Sequence, residues 1–123
     1  MLKDVLNPDN EDFGFTKVCI SKRRTKLNYD IWCDSLGRER DKNIQPFIMI
    51  CNTVADKEEW LTISIDKLPK IMNGNIECFK DLDEVLGYVK KHTHTLLMHW
   101  FGELDDLELY LNLFSHKIDI INR

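Results

Sequence analysis

The chain has 123 residues, of which 43% are hydrophobic, and its formal net charge is −4. This length suits a single domain with a sizeable core, and the net acidity argues against a surface that attracts nucleic acid as a whole. No apolar run reaches the 18 residues of a membrane helix, and the N-terminus lacks the pattern of a secretory signal. We therefore predict a cytoplasmic protein with no membrane segment.

The charge is unevenly placed along the chain. Residues 17–42 carry eight Lys and Arg against four Asp and Glu, whereas residues 51–123 carry eight against thirteen. A local basic patch of this kind can be a contact surface even in an acidic protein. The abundance of Ile, Lys and Asn indicates an AT-rich genome, which favours a bacterial or phage source.

The first part of the chain predicts an arm and then a hairpin. Residues 1–12 contain an Asn-Pro-Asp-Asn sequence and acidic residues, which indicates a flexible arm before a domain at residues 13–123. Apolar residues alternate along residues 16–21 and 27–34, which predicts two strands joined by a short connection. The tip of this hairpin is strongly basic and contains Lys22, Arg23, Arg24 and Lys26.

Three more strands are predicted after a polar loop at residues 36–45. That loop adds the basic residues Arg38, Arg40 and Lys42. The continuous apolar run at residues 47–51 is typical of a central strand buried on both faces. Alternation at residues 60–65 predicts a fourth strand, and residues 75–79 predict a short fifth strand.

The longest helical pattern covers residues 81–103, where apolar residues recur at helical spacing on one face. Asp81 and Glu84 match a capping box at the start of this helix. Residues with mediocre helix propensity occupy its middle, so the helix needs tertiary packing for stability. We expect this helix to cover one face of the sheet.

A second, shorter helix is predicted from Asp105 to about Ser115, because Asp105 and Glu108 match another capping box. Its core-facing stripe is predicted to consist of Leu107, Tyr110, Leu111 and Phe114. Leu109 and Leu113 then form a second row that a single contact cannot bury. We expect a protein partner to cover this row, and a second copy in a homodimer is one such partner.

Strands that precede the helices, rather than alternating with them, predict an α+β fold. We expect an antiparallel meander of four to five strands packed against a long C-terminal helix, followed by a second, shorter helix. Isoleucines in residues 118–121 suggest one more edge strand. Trp32 and Trp60 are expected on the sheet face away from the long helix, where either the last helix covers them or a partner binds them.

No motif in the chain supports catalysis, so we do not expect an enzyme. The four cysteines are widely spaced without a C-x-x-C pair, which predicts free thiols. On a helix His92 and His94 point to different sides, and His92 and His99 are two turns apart, so none of these pairs can share a metal ion. We predict no metal site and no cofactor.

The sequence leaves two candidate functions from different classes. The first is a small binding or inhibitory module of accessory, phage or immunity type, which acts by occupying a protein partner through Trp32, Trp60, Leu109 and Leu113. The second is nucleic-acid binding by the basic hairpin at residues 22–26 and the basic loop at residues 38–42.

Overall fold

The computed structural model describes residues 17–34 and 43–121, with side chains described up to residue 114. Its five strands are β1 (Lys17–Ile20), β2 (Ile31–Asp34), β3 (Phe47–Val54), β4 (Lys57–Ser64) and β5 (Ile71–Asn73). Its helices are α1 (Lys22–Thr25), a 3-10 helix (Ile76–Cys78), α2 (Leu82–Lys91), α3 (Thr93–Trp100) and α4 (Asp106–Ile121). The predicted arm at residues 1–12 lies outside the described residues.

The strands form one antiparallel sheet in the order β1-β2-β3-β4-β5, which confirms the predicted α+β class with a meander. Each strand pairs with its sequence neighbour, and all four pairings are antiparallel. The eight-residue strands β3 and β4 form a long hairpin closed by a two-residue turn between Val54 and Lys57.

One face of the sheet forms the core with the helices. Alternation along the strands places isoleucines of β2, β3 and β4 on this face, including the fully buried Ile31, Ile50 and Ile63. The helices contribute Val85, Val89, Leu96 and Trp100 to the same core cluster. The central position predicted for β3 is confirmed. Burial on both faces was also predicted, but residues of β3 on the face away from the helices, such as Met49, are only half-buried.

The long helix expected at residues 81–103 is two helices that break at His92, whose φ of −108° is not helical. Thr93 lies directly after the break. Its hydroxyl lies 2.8 Å from the Val89 carbonyl oxygen and 3.0 Å from the Lys90 carbonyl oxygen. It also lies 2.9 Å from the Asp66 carbonyl oxygen in the connection after β4. Back-bonding of this kind by threonine often bends a helix, and here it accompanies the break between α2 and α3.

One of the two predicted capping boxes is wrong and the other is confirmed. Asp81 has left-handed backbone and no capping bond, and its carboxylate instead accepts a hydrogen bond of 2.8 Å from the Asn28 side-chain amide. At the start of α4, the Asp105 amide donates to the Glu108 carboxylate at 2.9 Å. The Glu108 amide donates back to the Asp105 carboxylate at 2.7 Å, which completes a capping box.

The predicted assignment of the two apolar rows of α4 is wrong. Leu109 and Leu113 are buried, with 0% and 3% of their surface exposed, whereas Leu107 and Leu111 are 67% and 45% exposed. Within the predicted stripe, only Tyr110 and Phe114 are removed from solvent: Tyr110 is half-buried and Phe114 is buried. The row assigned to a homodimer or a partner therefore belongs to the core.

The bond between Asp106 and the buried His99 gives the reason. The Asp106 carboxylate lies 2.8 Å from His99 Nε2, which turns the Asp106 side of α4 towards α3. Residues three and seven positions further along a helix lie on that same side, and these are Leu109 and Leu113. The edge strand predicted at residues 118–121 is also wrong, because α4 continues to Ile121.

The fifth strand lies earlier in the chain than predicted. Residues 71–73 pair with β4, and most of the predicted strand at 75–79 is the 3-10 helix. Between them Gly74 has a φ of +112°, which L-residues rarely adopt. A Cβ at this position would collide with the Trp60 carbonyl oxygen, so the close approach to β4 requires glycine.

We expect Leu109→Ala to lower the free energy of unfolding by about 2–5 kcal/mol, because it leaves a cavity in the core. Leu107→Ala removes the same atoms from an exposed position of the same helix, so its effect should stay within about 0.5 kcal/mol. Urea denaturation of both variants checks this difference. Equal destabilisation would show that α4 has a different rotation.

A pair of glycine substitutions tests the turn before the 3-10 helix. Gly74→Ala should destabilise the protein by about 1–3 kcal/mol, through the backbone strain at positive φ and the collision with β4. Gly87→Ala lies in α2 with open space around the new methyl group, and should stabilise by about 0.5–1 kcal/mol. Thermal denaturation should move in opposite directions for the two variants. A neutral Gly74→Ala would refute the close approach.

Candidate functional site

The basic hairpin tip is a one-turn helix with an organised backbone. The Ser21 hydroxyl accepts a hydrogen bond of 3.1 Å from the Arg23 amide at its start. Lys26 ends the turn in the left-handed conformation, and its amide donates to the Lys22 carbonyl oxygen at 2.8 Å. The Lys22 amide donates to the Asp30 carboxylate at 2.7 Å. These bonds fix the backbone, while Lys22, Arg23, Arg24 and Lys26 remain exposed.

A cleft of about 370 Å³ lies between this tip, the end of α2 and the middle of α4. Its basic lining consists of Arg24, Lys26, Lys91 and His92, and we call it the basic cleft. Its apolar lining consists of Tyr88, Leu113 and Phe114. None of the described residues that line the basic cleft carries a carboxylate.

The permanent cations of the basic cleft have no ion-pair partner among the described residues. No described carboxylate forms an ion pair with Arg24, Lys26 or Lys91. The Arg24 guanidinium lies 5.5 Å from the centre of the Tyr110 ring, a cation–π contact that holds its position. An arginine in contact with a ring can still donate its N–H groups to an anion.

The wall formed by α2 and His92 presents two aromatic rings beside Lys91. The rings of Tyr88 and His92 lie 4.4 Å apart between centres, with a tilt of 48°. Burial raises the pKa of Tyr88 to about 12, so its hydroxyl keeps its proton at neutral pH. This wall therefore adds no negative charge to the basic cleft.

The basic cleft can bind an anion that carries an apolar portion. Three permanent cations supply charge-assisted hydrogen bonds. The apolar lining offers contact area to the group that bears the charge, as in ligand sites generally. The sequence predicts Arg24 and Lys26 as part of a basic surface, but Lys22 and Arg23 of the same surface do not line the cleft. Arg38, Arg40 and Lys42 lie outside the described residues.

Sequence reasoning missed the half of the basic cleft that α2 and α4 supply. The helical periodicity places Lys91 and His92 in the middle of a long helix, whereas they lie where α2 ends. The signal available in the sequence is the pair of lysines at 90–91 next to Thr93, a residue able to interrupt a helix. Nothing in the sequence pattern shows that this point meets the hairpin tip.

The predicted tryptophan pair exists on the other face of the sheet. Trp32 pairs across the strands with Met49, and Trp60 with Cys51, so both indoles project away from the core isoleucines. Their ring centres are 6.2 Å apart in an edge-to-face contact, and both residues are half-buried. The described side chains of α4 do not cover this pair, since Leu109, Leu113 and Phe114 belong to the core cluster.

The described cysteines have the properties of buried or half-buried thiols rather than of nucleophiles. All four cysteines are free. Burial raises the pKa of Cys33 to about 12, and burial together with Asp30 raises the pKa of Cys19 to about 11, so both thiols stay protonated. Within residues 17–34 and 43–114 no cluster of three His, Cys, Asp or Glu residues could hold a metal ion.

The chain shows no similarity that assigns it a function: no protein-family model matches it, and neither a curated protein nor a solved structure is significantly similar. Within the described part of the chain, no helix combines the length and the apolar character needed to cross a membrane.

We expect Cys33 to resist alkylation in the folded protein at pH 8, because it is buried and its raised pKa leaves almost no thiolate. Cys51 is half-buried and serves as the comparison within the same molecule. Peptide mass spectrometry after a time course with iodoacetamide should show Cys33 labelled only when urea unfolds the chain. Labelling of Cys33 as fast as Cys51 in the native protein would contradict this burial.

Proposed function

We propose that this protein is a small cytoplasmic binding module that acts by occupying a protein partner, and that it holds an anionic segment of that partner in the basic cleft. The observation that carries the proposal is the convergence of Arg24, Lys26 and Lys91 on one cleft without a described carboxylate partner. Unpaired cations on a cleft rim are the usual means of recognising acidic motifs. Four free thiols support a reducing compartment.

The shape and surroundings of the basic cleft favour a protein partner over nucleic acid. The helix α4, which lines the cleft, is preceded by Asp105 and carries Asp106 and Glu108 in its first turn. The exposed carboxylates of these residues would repel a long polyanion. Duplex DNA carries one charge about every 1.7 Å and is bound along extended basic tracks. A short acidic segment of a protein fits a single cleft within an acidic surface.

Nucleic-acid binding is the second candidate, and one observation favours it. Lys22 and Arg23 are exposed on the hairpin tip outside the basic cleft, which extends the positive surface beyond a single site. Such a surface would bind phosphates with a strong dependence on salt.

We expect Lys26→Glu with Lys91→Glu to weaken partner binding about tenfold or more, because both substitutions place like charge against an anionic segment. Lys57→Glu with Lys70→Glu changes the net charge equally at exposed positions away from the basic cleft and should bind normally. The measurement is capture from a lysate of the native host, followed by affinity measurement with the purified partner.

Each outcome of this comparison decides between the candidates. A protein partner that both charge variants bind equally well would remove the basic cleft from the function. Recovery of nucleic acid in place of protein, lost on Arg23→Glu, would establish the second candidate.

A further inference from the structure

We propose that the basic cleft binds a phosphorylated aromatic side chain of the partner, a phosphotyrosine. This inference rests on the proposed function, because it specifies which anionic group of the partner enters the cleft. The first observation in favour of phosphotyrosine is the number of positive charges in the cleft. Arg24, Lys26 and Lys91 supply three permanent positive charges, whereas a single carboxylate carries one negative charge. A phosphomonoester carries about −1.5 to −2 at neutral pH and offers three acceptor oxygens.

The chemistry and the placement of the hydrogen-bond donors also fit a phosphate group. The guanidinium carbon of Arg24 lies 5.5 Å from the centre of the Tyr110 ring, and this contact restricts the positions of the exposed side chain before a ligand binds. An oriented guanidinium binds phosphate oxygens in pairs, and lysine ammonium groups add point charges around them. Lys26 follows α1 and Lys91 ends α2, so the charges come from two separate elements.

The end of α2 does not oppose an anion as strongly as a free helix end would. Helix C-termini carry partial negative charge on carbonyls that lack partners. Here the Tyr88 carbonyl oxygen accepts a hydrogen bond of 3.0 Å from the His92 amide. The carbonyl oxygens of Val89 and Lys90 lie within hydrogen-bonding distance of the Thr93 hydroxyl.

The apolar lining specifies the group that carries the phosphate. A cleft of about 370 Å³ exceeds what a phosphate group alone fills and lies within the size range of small-ligand sites. Its apolar wall is mainly the half-buried Tyr88, since Leu113 and Phe114 expose only 3% and 7% of their surface. An aromatic ring packs favourably against such a wall, whereas a short phosphoserine would leave the wall uncovered.

The test uses the full chain and four synthetic peptides of one sequence that differ at one position: tyrosine, phosphotyrosine, phosphoserine or glutamate. Fluorescence anisotropy should show the phosphotyrosine peptide binding about tenfold or more tighter than each of the other three. Arg24→Gln should abolish this preference, while Lys57→Gln, an exposed control, should retain it. Amide chemical shifts of Tyr88, His92 and Leu113 should move on binding.

Several results would overturn the inference. Equal binding of the glutamate or phosphoserine peptide would exclude phosphotyrosine selection but leave an anionic protein segment as the ligand, so the proposed function would stand. Inorganic phosphate that competes as well as the peptide would show that the apolar wall contributes nothing. A single-stranded oligonucleotide that binds tighter than every peptide would overturn both this inference and the proposed function. Absence of binding by all four peptides would overturn the inference alone, since capture of the native partner tests the proposed function separately.

Discussion

The arrangement of the helices depends on the hydrogen bond between His99 on α3 and Asp106 at the start of α4. His99 is buried, so its ring nitrogen needs a partner inside the protein, and Asp106 supplies one at 2.8 Å. This bond and the burial of Leu109 and Leu113 belong to the same rotation of α4 about its own axis. That rotation sends Leu109 and Leu113 into the core and leaves Leu107 in solvent.

The basic cleft follows from the same rotation together with the break between α2 and α3. With α4 turned in this way, Tyr110 lies beneath Arg24 and Leu113 lines the cleft. The interruption at His92 ends α2 where Lys91 lines the cleft across from the hairpin tip. Two polar contacts in the helical layer, of His99 and of Thr93, therefore shape a site whose charges lie at the surface.

Local patterns predicted the sheet better than the helices. Alternation along β2 and β4 identifies the buried face because a strand has only two sides, so the isoleucines and the tryptophans are assigned without tertiary information. A helix with apolar residues all around has no such restriction, and α4 could rotate to bury either leucine row. The choice depends on His99, which lies in another helix and forms a contact that periodicity does not reveal.

The candidate site was predicted only in the part that is local in sequence. The basic residues of the hairpin tip are visible because they adjoin one another, whereas Lys91 and Leu113 reach the cleft through packing of α2 and α4. The cation–π contact between Arg24 and Tyr110 joins residues that are 86 positions apart in the sequence. Contacts over such separations are set by the tertiary fold and carry no signature in a single sequence.

A basic cleft in an acidic protein has a physical consequence for partner choice. At physiological salt, charges interact over about 8 Å, so an approaching polyanion meets the carboxylates of α4 as well as the cations of the cleft. A long polyanion gains little, because attraction at Arg24 and Lys91 is offset by repulsion along the rest of its length. A partner that presents one anionic side chain on an otherwise neutral or basic surface would be attracted by the cations of the cleft without repulsion along the rest of its length. This difference in repulsion is the physical reason why the proposed ligand is a single anionic group rather than a polyanion.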